Sequence, residues 1–226
     1  MKITWLGQAG LLFEANGAKI LVDPYLSDSC GEKNPKSHRR IPIDPFFLKL
    51  TPDVVVLTHD HLDHTDEQTL VHYLTSESTV TVLAAPTAWD HVRKLGGTNN
   101  YVRFSAYTEW THPSGLHFSA VKAEHSDPCS IGVIIDDGIK KYYVTGDTLY
   151  NTEVLHSLPR DIDTVFLPIN GKGNNMNATD AARFAEATGA KHAVPLHYGL
   201  FDDIDPHSFQ SPVRVISSVY EEIPLD

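Results

Sequence analysis

The run Val54-Val55-Val56-Leu57-Thr58-His59-Asp60-His61-Leu62-Asp63-His64-Thr65 constrains this chain more than any other stretch. Four consecutive apolar residues read as a strand buried on both faces and ending near Thr58. A helix should start after Thr65, which stands at capping-box spacing from Gln68. Three imidazoles and a carboxylate therefore fall in one short connection at the C-terminal end of a buried strand. Side chains two apart in extended backbone point the same way, so His59 and His61 can share one cation. Asp63 and His64, where the chain turns into the helix, then face a second. This is unlike HExxH, which sets two histidines one helical turn apart. A lone histidine is ordinarily solvated or hydrogen-bonded in packing, but a dense set of imidazoles has no packing use, and the motif reads as a metal site.

The rest of the chain gives that motif a frame. Strands are expected at 2–6, 11–15 and 19–22, the last after the Asn16-Gly17 turn signal, which makes a meander. Residues 26–52 show little periodicity and hold Gly31, Pro35, Pro42 and Pro45; a connection of this length is expected near the active site. Strands and helices then alternate: strand 54–57, helix 66–74, strand 79–84 and helix 87–95, which Gly96-Gly97 ends. Strands at 101–104, 116–123, 132–136 and 141–145 follow. A second helical section has a short helix at 152–158, strand 164–168, helix 178–188, strand 193–196 and a last helix within 207–220. Asn177 should cap the helix at 178, Asp180 complements its positive end, and Gly189 supplies the left-handed stop. Two sets of strands, each followed by helices, predict an α/β (α+β) fold with two sheets face to face and helices outside, a four-layer αββα sandwich.

At 226 residues and 41% hydrophobic content the chain can bury one core, so a single domain over 1–226 is expected. No apolar stretch approaches the roughly 20 residues of a membrane helix and no leader pattern precedes Lys2, which predicts a soluble, cytoplasmic protein without a membrane partner. Cys30 and Cys129 belong to no CxxC pattern, in keeping with a reducing compartment. The net charge of −11 disfavours nucleic acid as a partner, since that affinity comes from clustered Lys and Arg. The one basic cluster, Lys33, Lys36, His38, Arg39 and Arg40, reads equally as a solvated loop or an anion-recognising rim. A small-molecule substrate is expected, with self-association left open.

Two metals need more ligands, and the chain supplies them in similar settings. His125 follows strand 116–123, Asp147 follows strand 141–145 through Gly146, and His197 follows strand 193–196. The remaining histidines show no such placement and read as solvated or structural.

Taken together, His59-x-His61-x-Asp63-His64, His125, Thr145-Gly146-Asp147-Thr148 and Pro195-Leu196-His197-Tyr198-Gly199 resemble the metallo-β-lactamase superfamily over nearly the whole chain. The resemblance implies that one ion takes His59, His61 and His125, a second takes Asp63, His64 and His197, and Asp147 bridges them. It also implies that Asp23, in Asp23-Pro24, supports the ligands from behind. Leu167-Pro168-Ile169-Asn170-Gly171, Asn175-Met176-Asn177 and His197-Tyr198 are similar to the L-ascorbate-6-phosphate lactonase branch. That branch implies a cytosolic enzyme opening a sugar-phosphate lactone, often with manganese. The loop Lys172-Gly173-Asn174 is shorter here than that lactonase is expected to have.

The chemistry so implied is hydrolysis of an ester, lactone or phosphodiester, using water activated by two divalent cations, zinc or manganese. Asp63 is the residue expected to orient that water, a general-base role carried over from the family. Asn170 and Lys172, in a loop rich in backbone N–H groups, are expected to hold the substrate, although a glycine-rich turn before a capped helix explains the same residues. Two other functions fit the sequence: a phosphodiesterase or nuclease on the same fold, and a noncatalytic metal-binding protein.

Overall fold

The structure, a computed structural model, describes residues 1–225. Its first sheet has six strands in spatial order: β1 (Lys2–Gly7), β2 (Gly10–Ala15), β3 (Ala18–Val22), β4 (Val54–Leu57), β5 (Thr81–Ala84) and β6 (Asn100–Arg103). Pairing is antiparallel from β1 to β3 and parallel from β3 onward. The parallel connections carry α1 (Ser29–Lys33), α2 (Glu67–Leu74) and α3 (Pro86–Val92). The second sheet adds β7 (Glu109–Thr111), β8 (His117–Lys122), β9 (Ile131–Asp136), β10 (Lys141–Val144), β11 (Ile162–Pro168) and β12 (His192–Leu196). Its last two strands join in parallel through α4 (Thr152–Ser157) and α5 (Ala178–Thr188).

Side-chain alternation explains the layering. Val54 and Val56 of β4 pack with Phe13, Ile20, Val133 and Phe166 between the sheets, while Val55 and Leu57 pack with Leu70, Tyr73 and Val92 under α2 and α3. A strand covered on both faces has no polar side to show, hence its unbroken apolar run. Phe13 meets Phe166 of the other sheet edge to face, with centroids 5.7 Å apart. On the second sheet Phe184 of α5 packs beside Tyr143 of β10. The order is helix, sheet, sheet, helix, the sandwich expected from the sequence.

Three local expectations are corrected. The helix expected within 207–220 does not form; a single 3-10 turn, Pro206–Ser208, is followed by irregular chain. Pro212 interrupts that segment, and its β-branched residues cover sheet edges instead. Ala193 of β12 exchanges hydrogen bonds with Val213 and Val215, and 220–223 lies along β1 through Tyr220 N to Trp5 O and Ile223 N to Ile3 O. Unpaired edges of both sheets are closed in this way. The capping box also shifts by one residue: Asp66 caps α2 by accepting from Thr69 N, while the Thr65 hydroxyl donates to His59 O and Gln68 reaches Glu32. The three-residue β7 and the five-residue α1 were not expected at all. Asn177 and Gly189 do flank α5 as foreseen, with Asn177 accepting from Thr179 N and Asp180 N and Gly189 at φ 69°. Among the described residues, no helix is long and apolar enough to cross a membrane.

Candidate metal centre

Each strand that feeds the site ends on the same rim of the sandwich. His59, His61, Asp63 and His64 follow β4 of the first sheet; His125, Asp147 and His197 follow β8, β10 and β12 of the second. The seam is stitched by backbone bonds, Ile131 N to Thr58 O and His197 N to Gln8 O, both 3.0 Å. Close approach at this seam requires Gly146. A Cβ there would stand 2.8 Å from Ile131 O and 3.0 Å from Thr58 Cβ, and its φ is +60°. Four non-glycine residues at the site, Gln8, Asp23, Asn174 and His197, also have positive φ (52°, 44°, 64° and 61°). Such conformations cost energy and persist where surrounding structure imposes them.

All seven residues expected as ligands come together. Ligand atoms within 4.8 Å of one another occur in three sets: His59, His61 and His125; Asp63, His64 and His197; and His59, His64 and Asp147. The third set shares one histidine with each of the others, so Asp147 lies between them.

Hydrogen bonds behind the ligands fix which ring nitrogen is bare. The Thr58 hydroxyl donates to Asp23 Oδ2 at 2.6 Å, so towards His59 Nδ1, 3.0 Å away, it can only accept. His59 therefore carries its proton on Nδ1 and turns a bare Nε2 inward. His64 Nδ1 donates to the same Asp23 oxygen at 2.8 Å, and His125 Nδ1 to Asn174 O at 3.2 Å, with the same result. His61 Nδ1 lies 3.1 Å from both His59 Nε2 and His125 Nε2. Asp23, fully buried, also accepts from Thr58 N, which places it directly behind His59 and His64. Protein carboxylates behind metal-bound imidazoles commonly set tautomer and ring orientation in this manner.

Two atoms test whether a cation fits. His64 Nε2 and Asp147 Oδ1 are buried without a hydrogen-bond partner, 3.4 Å apart. Leaving such groups unsatisfied costs about 1–3 kcal/mol each, and a cation between them would satisfy both. The charges agree. Burial alone would lower the pKa of His197, but Asp147 and Asp63, each 3.2 Å from its Nε2, outweigh burial and push it up to about 10. His64 is raised likewise, burial being overridden by Asp147, Asp23 and Asp63, while burial and the neighbouring His64 charge hold His59 well below the usual value. The carboxylates thus favour positive charge at this point, supplied by protons on His64 and His197 or by a cation that displaces them, and the N/O donor set suits a divalent ion.

Sequence reasoning missed three supporting side chains. Gln8, in the β1–β2 turn, donates to Asp63 Oδ2 at 2.8 Å and lies 3.0 Å from His197 Nδ1. Asn175 donates to Asp147 Oδ2 at 2.8 Å. Asp127 accepts from Asp60 N, Cys129 N and the Thr87 hydroxyl, joining the 59–64 loop to the one bearing His125. Their signal was weak: a polar residue between Gly7 and Gly10, and an aspartate two places after a ligand. The substrate residues named from sequence both line the cleft, a cavity of about 410 Å³ over the ligands that also includes Cys30, Lys36, Ser37 and Phe201. Asn170 Nδ2 lies 2.8 Å from His197 Nδ1, so it orients a ligand as well as facing the cleft. Burial, with the nearby Asp63 charge, pushes the pKa of the Cys30 thiol up to about 11, which disfavours its thiolate.

Residues 18–198 match the family described as the beta-lactamase superfamily domain. The chain belongs to that superfamily. Among its superfamily relatives, a UPF0173 metal-dependent hydrolase of Carboxydothermus hydrogenoformans is 29% identical over 228 residues, covering 96% of this chain and 93% of that protein. The metallo-beta-lactamase fold protein YhfI of Bacillus subtilis superimposes with a TM-score of 0.70 at 20% identity, covering 98% of each chain. An isothiocyanate hydrolase from Delia radicum gut bacteria gives 0.74 at 20% identity, covering 100% of this chain and 99% of that one. The two-sheet architecture described above is the metallo-β-lactamase fold.

Proposed function

We propose that the chain is a metal-dependent hydrolase acting on a small ester or lactone, a sugar-phosphate lactone included. The observation that carries this reading is the convergence of seven His and Asp side chains on the floor of an open cleft. The superfamily relatives named metal-dependent hydrolases point the same way.

His59, His61 and His125 would hold one divalent cation, Asp63, His64 and His197 a second, and Asp147 would touch both. Zinc suits the imidazole-rich set and manganese the carboxylate-containing one. Such cations lower the pKa of water and polarise an acyl oxygen. The protein's own residues do the rest. Asp63 is half-buried at the cleft floor, and Gln8 fixes its Oδ2 by a 2.8 Å hydrogen bond, which positions the carboxylate to take a proton from attacking water. Asn170 and Lys172 stand beside it to orient the substrate.

The test is a panel of p-nitrophenyl acetate, dihydrocoumarin and bis-p-nitrophenyl phosphate, assayed with zinc- and manganese-loaded protein. Expected is turnover of the ester or lactone above the phosphodiester, with a loss of about 10³ or more in kcat for Asp63→Ala while metal is retained. Faster phosphodiester cleavage would favour the nuclease alternative, and no turnover of anything by metal-loaded protein would leave a noncatalytic metal binder.

A further inference from the structure

The cleft is walled by two loops whose tips each carry a lysine. The first tip is the 3-10 turn Pro35–Ser37, in which the Asn34 side chain accepts from Lys36 N. Its stem is braced. Asp28 accepts from His38 Nδ1 at 2.6 Å and Arg39 N at 2.7 Å, and Arg40 N bonds Leu200 O, three residues past the ligand His197. The brace is so tight that a Cβ on Gly31 would lie 2.3 Å from His38 Nδ1. Arg39 adds bonds to Tyr25 O, Ile41 O and the Tyr220 hydroxyl. None of this machinery engages the Lys36 ammonium, yet Lys36 and Ser37 line the cleft.

The second tip is Lys172, held by the bridge between Asn170 and Asn177 and by Gly171 N to Met176 O. Neither lysine has an ion-pair partner among the described residues, whereas Lys2, Lys122, Lys140, Lys141 and Lys191 all have one; Lys19, Lys33, Lys49 and Lys94 also lack one but do not line the cleft. Apart from the metal ligands, the one acidic side chain lining the cleft is Asp202, and its Oδ1 is already taken by Gly199 N and Ile204 N. In a chain of net charge −11, two free ammonium groups over a cation-binding floor are a marked local reversal of sign.

We infer that Lys36 and Lys172 together clamp an anionic group on the nonreacting end of the substrate, making the substrate class a small carboxylate- or phosphate-bearing ester or lactone. The inference rests on the hydrolase reading for its reaction but not for its binding site. A cleft of this volume suits a small molecule, and a lysine on each of two independently anchored loops gives charge recognition without demanding one planar geometry.

The test is titration calorimetry of the zinc-loaded full chain with two probes, glutarate and glycerol 2-phosphate. Wild type is compared with Lys36→Ala, Lys172→Ala, the double variant, Lys36→Arg, and Lys94→Ala as a remote control. Each single alanine change should raise Kd about tenfold, the double change further, with Lys36→Arg and Lys94→Ala within about threefold of wild type. A loss confined to one probe identifies the group as carboxylate or phosphate. The inference is overturned if wild type binds neither probe, or if the double variant binds both as tightly as wild type. Should lysine-dependent binding persist while no ester or lactone is turned over, the hydrolase reading fails and the clamp stands.

Discussion

His64 and Asp23 form a fully buried pair in which the imidazole Nδ1 donates to the carboxylate at 2.8 Å, and the same oxygen receives the Thr58 hydroxyl that in turn accepts from His59. One carboxylate thereby orients two of the converging imidazoles, one in each of two candidate metal-binding sets. Asp23→Asn should lower metal affinity about 10- to 100-fold, measured by chelator competition. An unchanged affinity would sink the supporting role assigned to Asp23.

Asp127 is predicted to hold two ligand-bearing loops in register. Asp127→Ala would strand the Asp60 and Cys129 N–H groups and the Thr87 hydroxyl without an acceptor, costing about 1–3 kcal/mol. Urea denaturation in excess chelator should show the loss with the metal contribution removed, and zinc affinity should fall in parallel. Equal urea midpoints for variant and wild type would refute it.

Gly146→Ala tests the seam directly. The added methyl would meet backbone at 2.8 Å in a left-handed residue, so a destabilisation of about 1–3 kcal/mol is expected, together with displacement of the neighbouring Asp147. Crystallography of the variant should show Asp147 shifted or the sheets parted; a variant as stable as wild type would mean that this seam tolerates adjustment.

His91 supplies a pH-dependent prediction. Its Nδ1 lies 2.7 Å from Asp60 and its Nε2 2.7 Å from Glu67, so although burial would lower its pKa, the two acids raise it above the usual value. A group with a raised folded pKa contributes fully below its unfolded value, near 6.5, and the contribution disappears as pH climbs through the folded pKa. His91→Gln should therefore melt below wild type at pH 6, with a gap that narrows by pH 9. A gap of equal size at both pH values would show that the ion pairs contribute nothing.

Metal removal should destabilise the whole chain. A ligand present at about 100 times its Kd adds about 2.7 kcal/mol, so dialysis against chelator should lower Tm measurably, with restoration on adding zinc. Identical melting curves before and after dialysis would argue against a metal bound at this site.

Much of this site is legible in the sequence because its ligands sit where strands stop. A strand end is marked by the loss of apolar periodicity, and His59, Asp147 and His197 follow such points directly. The supporting side chains follow a different logic. Gln8 and Asn175 acquire meaning only when the β1–β2 turn and the 170–177 loop meet over Asp63 and Asp147, a tertiary event with no local pattern. The expected helix within 207–220 failed for a related reason: two open sheet edges compete for that segment, and Val213 and Val215 satisfy backbone groups of β12 that a helix would leave bare. The β7 strand, three residues long, is too short for alternation to show.

Because four ligands hang from one sheet and three from the other, neither half of the sandwich owns a complete binding set. A loaded ion pair would act as a rivet through the joint, and forces that slide one sheet past its neighbour would be felt first as altered coordination. Loading would therefore report on assembly of the halves: a chain whose sheets had formed but not yet docked would have nowhere to keep an ion.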